Sequence, residues 1–245
     1  MHNTKPHLYF SRRWYILFIL CAALANKAPL VAQAITQMGL DIDGEAAGDL
    51  SGYSGPTASL SSDGSRMAVG AIRNDGNGID AGQVRVYAWS GSAWVQLGAD
   101  IDGEAAGDYS GRSVSLSSDG SRLAVGAYLN DGNGSNAGHV RVYVWSGSAW
   151  VQLGADIDGE AADDQSGRSV SLSSDGSRMA VGAIRNDGNG IDAGQVRVYA
   201  WSGSAWVQLG ADIDGEAAAD QFGTSVSLSS NGDRLSVGGL YNDGN

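Results

Sequence analysis

The chain has 245 residues and a net charge of −12 at pH 7, with 37 glycines, 3 prolines and a single cysteine, Cys21. An acidic surplus of this size repels the phosphates of nucleic acids, so no nucleic-acid partner is expected. One cysteine excludes a disulfide scaffold and a zinc–thiolate site, and the low proline content excludes a proline-rich linker chain.

Residues 1–34 form a segment that is typical of a secretory signal peptide. Basic residues precede an apolar run from Trp14 to Ala25, and small residues suited to cleavage follow, which is the order of such a signal. The run has about 12 residues, whereas a membrane-spanning helix needs about 20. We therefore expect cleavage after Ala25 or Ala34, no membrane span after removal of the signal, and a protein that is secreted or held at the cell surface.

Removal of this segment would sharpen the charge of the chain, since the segment carries four basic residues and no acid. The rest of the chain keeps 11 arginines against 27 acids, a net charge of −16. Such a surface suits divalent cations, basic partners or plain solubility.

From about residue 40 onward the chain repeats itself every 56 residues. Trp94 returns as Trp150 and Trp206, and the segment Ser59–Ala106 recurs letter for letter as Ser171–Ala218. A fixed period of this size is typical of solenoids, propellers and other arrays. Because each candidate reactive group then occurs three or four times, the repeat favours a scaffold that binds or displays over an enzyme.

The second copy of the repeat predicts four short strands, separated by turns and loops. Small polar and apolar residues alternate in the first strand, and the dipeptide Asp119-Gly120 after it is a strong hairpin signal. A linker from 154 to 166 leads to the next copy. The four predicted strands are 113–117, 123–127, 140–145 and 150–153.

Four antiparallel strands per repeat predict an all-β fold, a β-propeller of four-stranded blades, with a β-sandwich or β-solenoid as alternatives. The last copy has only two predicted strands, so we expect three full blades, a partial one and a truncated array. A segment from Ile35 to Gly39 is similar to the outer strand and is expected to supply a spare one. The array spans 35–245, with blades at about 40–97, 98–153, 154–209 and 210–245.

The first two strands of each copy resemble the FG-GAP repeat of integrin α-subunit propellers. Phe222-Gly223 and Val237-Gly238-Gly239 carry the resemblance in the fourth copy. In the second copy Ser110-Gly111 and Val125-Gly126-Ala127 stand in the same places, and the third copy has the same pattern. The resemblance covers nearly all of the chain after residue 38 and is greatest for secreted, bacterial-type members. It implies an extracellular propeller used for adhesion or ligand binding.

Two loops of the repeat bear on calcium. In the family an Asp-rich calcium loop joins the two motif strands, but here that position, Ser117–Arg122, holds one carboxylate, and calcium takes six to eight oxygens. A second loop has acids at relative positions 1, 3, 5 and 9, which makes it a candidate calcium site, with a solvated acidic turn or a partner contact as alternatives. Its acids are Asp41, Asp43, Glu45 and Asp49; Asp100, Asp102, Glu104 and Asp108; Asp156, Asp158, Glu160 and Asp164; and Asp212, Asp214, Glu216 and Asp220.

Other recurrent groups have a structural interpretation beside a functional one. The loop Asn130–Gly134 suits a turn or the rim of a ligand site. The tryptophan pairs, such as Trp145 and Trp150, suit cross-strand packing or a platform for sugars. Arg141 and its equivalents are expected to pair with acids. His139 replaces a glutamine of the other copies, so the fold does not need it, and nothing marks a Ser-His-Asp triad.

Together these patterns predict a binding or adhesion scaffold for a protein or carbohydrate ligand, with calcium as the candidate cofactor and no catalytic residues. The ligand-binding residues are not assigned by the sequence. The alternatives are a spacer or fragment of a larger exported protein, and a propeller hydrolase or lyase whose site lies in blades outside this chain.

Overall fold

The computed structural model describes residues 36–53 and 56–244, and all the regular elements among them are β-strands. They lie in one compact unit, Met38–Asn245. The predicted signal peptide, residues 1–34, falls outside the described residues. No helix among the described residues has the length and apolar character needed to cross a membrane.

In this described part of the chain, seventeen strands form three five-stranded sheets and one two-stranded sheet. The first sheet contains β1 (Ala58–Leu60), β2 (Arg66–Ala71), β3 (Gln83–Trp89), β4 (Trp94–Gln96) and β5 (Ile101–Asp102). The second contains β6 (Ser110–Leu116), β7 (Arg122–Ala127), β8 (His139–Trp145), β9 (Trp150–Gln152) and β10 (Ile157–Asp158). The third contains β11 (Ser166–Leu172), β12 (Arg178–Ala183), β13 (Gln195–Trp201), β14 (Trp206–Gln208) and β15 (Ile213–Asp214), and the fourth β16 (Phe222–Leu228) and β17 (Leu235–Gly239).

Each full sheet has the topology of a blade. In the second sheet β6, β7, β8 and β9 pair in sequence order and antiparallel, while β10 also pairs with β8. The outermost position is thus shared by two short strands, with Trp150 opposite Trp145 and Asp158 opposite His139. The fold-class prediction is confirmed: the chain is an all-β series of blade-like sheets that forms a partial propeller.

Two details of the sheets differ from the predicted strands. Strand β10 lies inside the predicted linker 154–166, because a strand of two residues is too short to show an alternating pattern. Strand β6 begins at Ser110 rather than 113, since a bulge between Ser110 and Ser113 passes through Gly111, whose φ is +84°. A left-handed residue of this kind favours glycine.

The motif glycines allow neighbouring sheets to approach closely. A Cβ atom on Gly126 would overlap the carbonyl oxygen of Gly167 in the next sheet, and Gly70 and Gly111 stand in the same relation one copy earlier. Ser113 Oγ donates to the same Gly167 oxygen at 2.8 Å. Small residues are therefore required on the face where one blade stacks on the next.

The apolar core lies between neighbouring sheets. Val84 and Val86 of the first sheet pack with Val114, Leu123 and Tyr143 of the second, and the same cluster recurs between the second and third sheets. Burying each such side chain stabilises the fold by about 1.5–3 kcal/mol. One sheet alone would leave this surface exposed, so the copies depend on one another.

The described N-terminal residues form no strand from 36 to 40, unlike the spare outer strand that we expected there. Met38 O instead accepts a hydrogen bond from Trp94 Nε1 at 3.0 Å. The equivalent bonds later in the chain run from Trp150 Nε1 to Leu97 O and from Trp206 Nε1 to Leu153 O, both at 2.9 Å. Met38 thus contacts the first sheet as the end of a preceding outer strand would.

Because the strands alternate in direction, the connections fall on two opposite edges. We call one the hairpin edge, made of the tight turns at 61–65, 90–93, 117–121, 146–149, 173–177, 202–205 and 229–233. We call the other the loop edge, made of the acidic loops at 41–49, 100–108, 156–164 and 212–220 and the Asn loops at 74–80, 130–136, 186–192 and 242–244. The candidate site residues of the sequence lie on the loop edge.

Candidate functional site

The acids at the ninth position of the acidic loops are structural. Asp108 is 3% exposed, and its Oδ2 accepts hydrogen bonds from the Ala105 N–H at 3.0 Å and from Asn130 Nδ2 at 3.0 Å. Buried carboxylates need such donors, because burial of an unpaired charge is costly. The same pairing with an asparagine amide recurs at Asp49, Asp164 and Asp220.

Each of the first three Asn loops is tied to an acidic loop on both sides, and the fourth is tied to the preceding one. Asn130 contacts the preceding loop through Asp108, and its own Oδ1 accepts the Gly132 N–H at 2.8 Å. Asn133 Nδ2 donates to the carbonyl oxygens of Gly159 and Glu160 in the following loop, at 2.8 and 3.2 Å. The turn interpretation of these loops is confirmed, and the loop edge is a continuous hydrogen-bonded strip.

The other acids of each loop face different partners. Asp100 Oδ1 accepts from Gln96 Nε2 at 2.6 Å. Arg141 of the next sheet donates to the Asp102 carbonyl oxygen at 2.9 Å and lies 3.3 Å from Glu104 Oε1. The equivalent ion pairs are Arg85 with Glu45 at 3.8 Å and Arg197 with Glu160 at 3.7 Å, which confirms that the third-strand arginines pair with acids.

The four carboxylates of one acidic loop therefore do not share a centre in this conformation, because the ninth faces inward and the others contact neighbouring strands. Among the described residues, one group of three such side chains has ligand atoms within 4.8 Å of one another, and it draws on two loops and a strand: Glu104, His139 and Asp156. The chain's fit to calcium at any single loop is poor on this geometry, and calcium binding there stays a prediction.

The first residue of the third strand bridges two acidic loops. Gln83 Nε2 donates to Glu45 Oε2 and to Asp102 Oδ1, both at 3.3 Å. Gln195 does the same with Glu160 at 3.2 Å and Asp214 at 3.3 Å. In the second sheet His139 occupies this position. From the sequence, comparison of the copies indicates only that the fold does not need a histidine there.

The tryptophan pairs lie next to the hairpin edge and serve packing. The rings of Trp145 and Trp150 have centroids 5.5 Å apart, and the pair Trp201 and Trp206 has the same spacing. Each second indole N–H donates to the preceding copy, as the Trp150 bond to Leu97 O shows. The rings thus join consecutive copies.

The loop edge also holds a cleft that the sequence did not predict. Its volume is about 540 Å³, and aromatic and basic side chains from the first three copies line it. We call it the tyrosine–arginine cleft and define it by Tyr53, Tyr109, Tyr128, Arg73, Arg112 and Arg168.

Contacts between these side chains give the cleft a defined shape. Tyr109 and Tyr128 meet edge to face with centroids 6.0 Å apart, and the Arg168 guanidinium lies 5.5 Å from the centre of the Tyr128 ring. Tyr109 Oη donates to Asp80 Oδ2 at 3.2 Å. Burial lowers the pKa of Arg112. The cleft therefore presents aromatic faces beside cationic groups on an acidic chain.

The signal for this cleft is the pattern of differences between copies. The second and third copies differ at nine positions. Seven of them lie on or next to the loop edge. With the residue of the second copy given first, they are Gly107/Asp163, Tyr109/Gln165, Tyr128/Ile184, Leu129/Arg185, Ser135/Ile191, Asn136/Asp192 and His139/Gln195. The other two, Leu123/Met179 and Val144/Ala200, lie on strands. The turns of the hairpin edge are identical in the first three copies, and the fourth departs at Asn231 and Asp233.

Comparison with known proteins identifies the repeat. Two segments, residues 100–144 and 156–199, match the family model of the FG-GAP repeat, which confirms the resemblance stated from the sequence for the second and third copies. The matched segments cover less than half of the chain. No match was found among the curated proteins.

Three solved structures are similar at low identity. Hydrazine synthase of Kuenenia stuttgartiensis has 14% identity and a TM-score of 0.46, over 73% of this chain and 40% of that one. A putative 6-phosphogluconolactonase from Bacteroides uniformis has 14% identity and a TM-score of 0.48, over 73% and 45%. The periplasmic gluconolactonase of Pseudomonas aeruginosa has 19% identity and a TM-score of 0.44, over 75% and 42%. The chain spans less than half the length of each.

Proposed function

We propose that this series of FG-GAP repeats is a secreted or cell-surface binding scaffold whose ligand is held on the loop edge, at the tyrosine–arginine cleft. One observation carries the proposal: between two nearly identical copies, seven of nine differences lie on or next to the loop edge. Function concentrates in loops that a rigid scaffold positions.

The two edges are not equally free to vary. In hairpin turns such as Ser146–Ala149, Ser146 Oγ donates to the Ala149 carbonyl oxygen and accepts the Ala149 N–H, and these turns are identical in the first three copies. The first and third copies are also identical over the Asn loop, so the loop edge that diverges is that of the second copy. Its differences place two tyrosines, Tyr109 and Tyr128, in the same cleft, which supports selection for a binding surface there.

Backbone strain at the cleft supports the same interpretation. Tyr109 has a φ of +53°, and the equivalent residues Leu50, Gln165 and Gln221 have φ between +50° and +57°. A left-handed residue other than glycine costs on the order of 1 kcal/mol, and such strain clusters at functional sites. A chain with 37 glycines nevertheless keeps large side chains at this position in every copy.

The chemistry of the cleft favours an acidic carbohydrate as the ligand. Tyrosine faces can stack on sugar rings, and arginine side chains form paired hydrogen bonds with carboxylates. Three arginines lie in the cleft and one of them, Arg73, pairs with Asp80 at 3.9 Å, so positive charge remains in excess there on a chain whose net charge is −12, and a negatively charged ligand is drawn to this place on the surface. An acidic segment of a protein is the second candidate.

A glycan array tests the proposal, with neutral oligosaccharides beside oligosaccharides that carry carboxylate or sulfate groups. We expect binding to the acidic set, and at least about a tenfold loss in the double variant Tyr109→Gln/Tyr128→Ile, which installs residues that the third copy already accommodates. Ser148→Ala, on the hairpin edge, is the matched control and should bind as the parent does. Absence of binding to every acidic glycan, or equal binding by the double variant, would refute a carbohydrate site here.

Secretion is a separate part of the proposal, supported by the signal-like N-terminus and by the extracellular occurrence that is typical of FG-GAP repeats. Expression of the full chain in a secreting bacterial host should deliver protein to the exported fraction. Mass spectrometry should then find a mature N-terminus at Asn26 or Ile35. Retention of Met1 on protein found only in the cytosol would contradict export.

A further inference from the structure

One position of the loop edge departs from the bridging arrangement of the other copies. Where Gln83 and Gln195 donate to two carboxylates each, His139 Nδ1 faces three: Glu104 Oε2 at 3.8 Å, Asp156 Oδ2 at 3.9 Å and Asp158 Oδ1 at 4.0 Å. These distances exceed those of a hydrogen bond, which spans about 2.7–3.2 Å. The histidine therefore does not replace the amide bridge.

The environment of His139 calls for a further partner. The side chain is 1% exposed, and among the described residues Nε2 has no hydrogen-bond partner. Gln83 Oε1 and Gln195 Oε1, at the equivalent position, also lack a partner in the described part of the chain, so what sets His139 apart is Nδ1, which faces three carboxylates without reaching any of them. Here the imidazole is directed at a cluster of carboxylates that lies just beyond hydrogen-bonding distance.

We propose that Glu104, His139 and Asp156 bind a divalent transition-metal ion of the Zn²⁺ type, with Asp158 at the margin of the site. Their ligand atoms lie within 4.8 Å of one another. Ligands around tetrahedral Zn²⁺ lie about 3.3 Å apart, as its bond lengths of about 2.0–2.1 Å require. Glu104 lies at the exposed surface and Asp156 is partly exposed, so small rotations of their side chains can close the difference.

The donor set distinguishes this site from the calcium prediction. Imidazole suits Zn²⁺, Cu²⁺ and Ni²⁺, whereas calcium takes oxygen ligands alone. The charge also matches a divalent ion. Three carboxylates face the site, and Arg141 lies 3.3 Å from the other oxygen of Glu104. Together these groups carry a net charge of about −2, counted at one unit charge each. Metal binding requires the neutral imidazole, which is the form that a histidine with its ordinary pKa mostly has at pH 7.

The same geometry limits the affinity. A metal ion on Nδ1 places the imidazole proton on Nε2, which lacks an acceptor among the described residues. Loss of such a supporting hydrogen bond typically weakens metal binding by about 10–100-fold. We therefore expect a dissociation constant in the micromolar range and a stoichiometry of about one ion per chain.

The repeat supplies both a loss and a gain variant for the test. His139→Gln restores the side chain that the first and third sheets hold at this position. Gln195→His creates the same cluster one copy later, where Glu160, Asp212 and Asp214 take the places of Glu104, Asp156 and Asp158. Each variant places in one copy a residue that another copy already accommodates, so both should fold.

Calorimetric titration of untagged chain with ZnCl₂ at pH 7, and separately with CaCl₂, decides the matter. We expect about one Zn²⁺ per chain for the parent, at least a tenfold weaker affinity for His139→Gln, and about two Zn²⁺ for Gln195→His. The imidazole NMR signals of His139 should shift on addition of Zn²⁺, and circular dichroism should show the parent fold in both variants.

Three results would overturn the proposal. The first is no Zn²⁺ binding by the parent, and the second is unchanged Zn²⁺ binding in His139→Gln, which would place the metal on surface carboxylates. The third is that Ca²⁺ binds the parent as tightly as Zn²⁺ does and binds His139→Gln equally well. The titrations contain no glycan, so their failure leaves the proposed carbohydrate site untouched.

Discussion

The hairpin edge and the loop edge are built by the same strands but hold the copies together in different ways. On the hairpin edge, backbone hydrogen bonds run in series from copy to copy: Ser62 N to Ser118 O, Ser118 N to Ser174 O and Ser174 N to Ser230 O, each 2.8 Å long. On the loop edge, side chains make the connections, through buried aspartates, asparagine amides and arginines.

This difference explains why one edge can diversify. Backbone bonds do not depend on the side chain, but the tight turns that align them need glycine and serine, so their sequence is restricted. The loop edge fixes a few polar anchors, such as Asp108 and Asn130, and leaves the positions between them unrestricted. A duplicated array can therefore change its loop edge without loss of stacking.

The largest expected effect comes from disturbing the stacking that both edges share. In Gly126→Ala the new methyl group would overlap the Gly167 carbonyl oxygen of the next sheet, so we expect a loss of about 3 kcal/mol or more in the free energy of unfolding. Urea unfolding measures it. Gly44→Ala, whose new methyl would meet its nearest neighbour, Ser51 Cβ, at 3.4 Å, should cost about 0.5 kcal/mol or less. Equal losses in the two variants would refute the close approach of the sheets.

The second expected effect is that the two edges lose stability in different pH ranges. Burial, with Arg141 nearby, lowers the pKa of His139 on the loop edge from 6.5 to about 4. The unfolded chain then binds the proton more tightly than the folded chain. The stabilisation that neutral His139 gives to the folded state is therefore complete above pH 6.5 and is lost as the pH falls toward 4. Hydrogen bonds from the Ser177 backbone and the Ser173 side chain lower the pKa of Asp175 on the hairpin edge from 3.8 to about 2. Its contribution is complete above pH 3.8 and is lost as the pH falls toward 2.

Urea midpoints against pH, measured with a chelator present, check both windows. We expect His139→Gln to remove a decline on the order of 3 kcal/mol at most between pH 6.5 and 4, because one pKa unit corresponds to about 1.36 kcal/mol. Asp175→Asn should remove only the part of the decline below pH 4. Parallel curves for the parent and His139→Gln across pH 6.5–4 would contradict a buried neutral imidazole.

A third effect compares one aspartate from each edge. Asp108→Ala leaves the Ala105 N–H and the Asn130 amide without their acceptor in a buried place, so we expect a loss of about 2–3 kcal/mol. Asp119→Ala removes bonds from Ser117 and Ser121 at an exposed turn and should cost about 1 kcal/mol. Urea unfolding of the two variants gives the comparison, and a larger loss for Asp119→Ala would show that the hairpin edge carries more of the stability.

The sequence predicts the sheets well because their pattern is local. The alternation in Ser113–Ser117 and the Asp119-Gly120 turn each lie within a few residues, and strands β6 and β7 follow from them. The bulge at Gly111 and the short strand β10 are not predicted, since the first depends on a left-handed residue and the second has only two residues.

The site depends on contacts between distant residues, and sequence spacing gives the wrong geometry for them. Positions 1, 3, 5 and 9 of the acidic loop suggest one centre, but Asp108 bonds Asn130, 22 residues away, while the carbonyl of Asp102 accepts a bond from Arg141, 39 residues away. The observation that could have located both the cleft and the histidine cluster was in the sequence: the few positions at which the copies disagree.

The smallest expected effect tests the tolerance of the loop edge directly. Ser135→Ile installs the residue of the third copy, where Ile191 is 74% exposed, so the free energy of unfolding should change by about 0.5 kcal/mol or less. The hairpin edge supplies the contrast in Ser117→Ala. Ser117 is buried, and its Oγ donates to Asp119 and accepts the Arg122 N–H at 2.9 Å, so its removal should cost about 1–2 kcal/mol. If urea unfolding found Ser135→Ile as costly as Ser117→Ala, the loop edge would be as constrained as its opposite, and its tolerance of different side chains would be refuted.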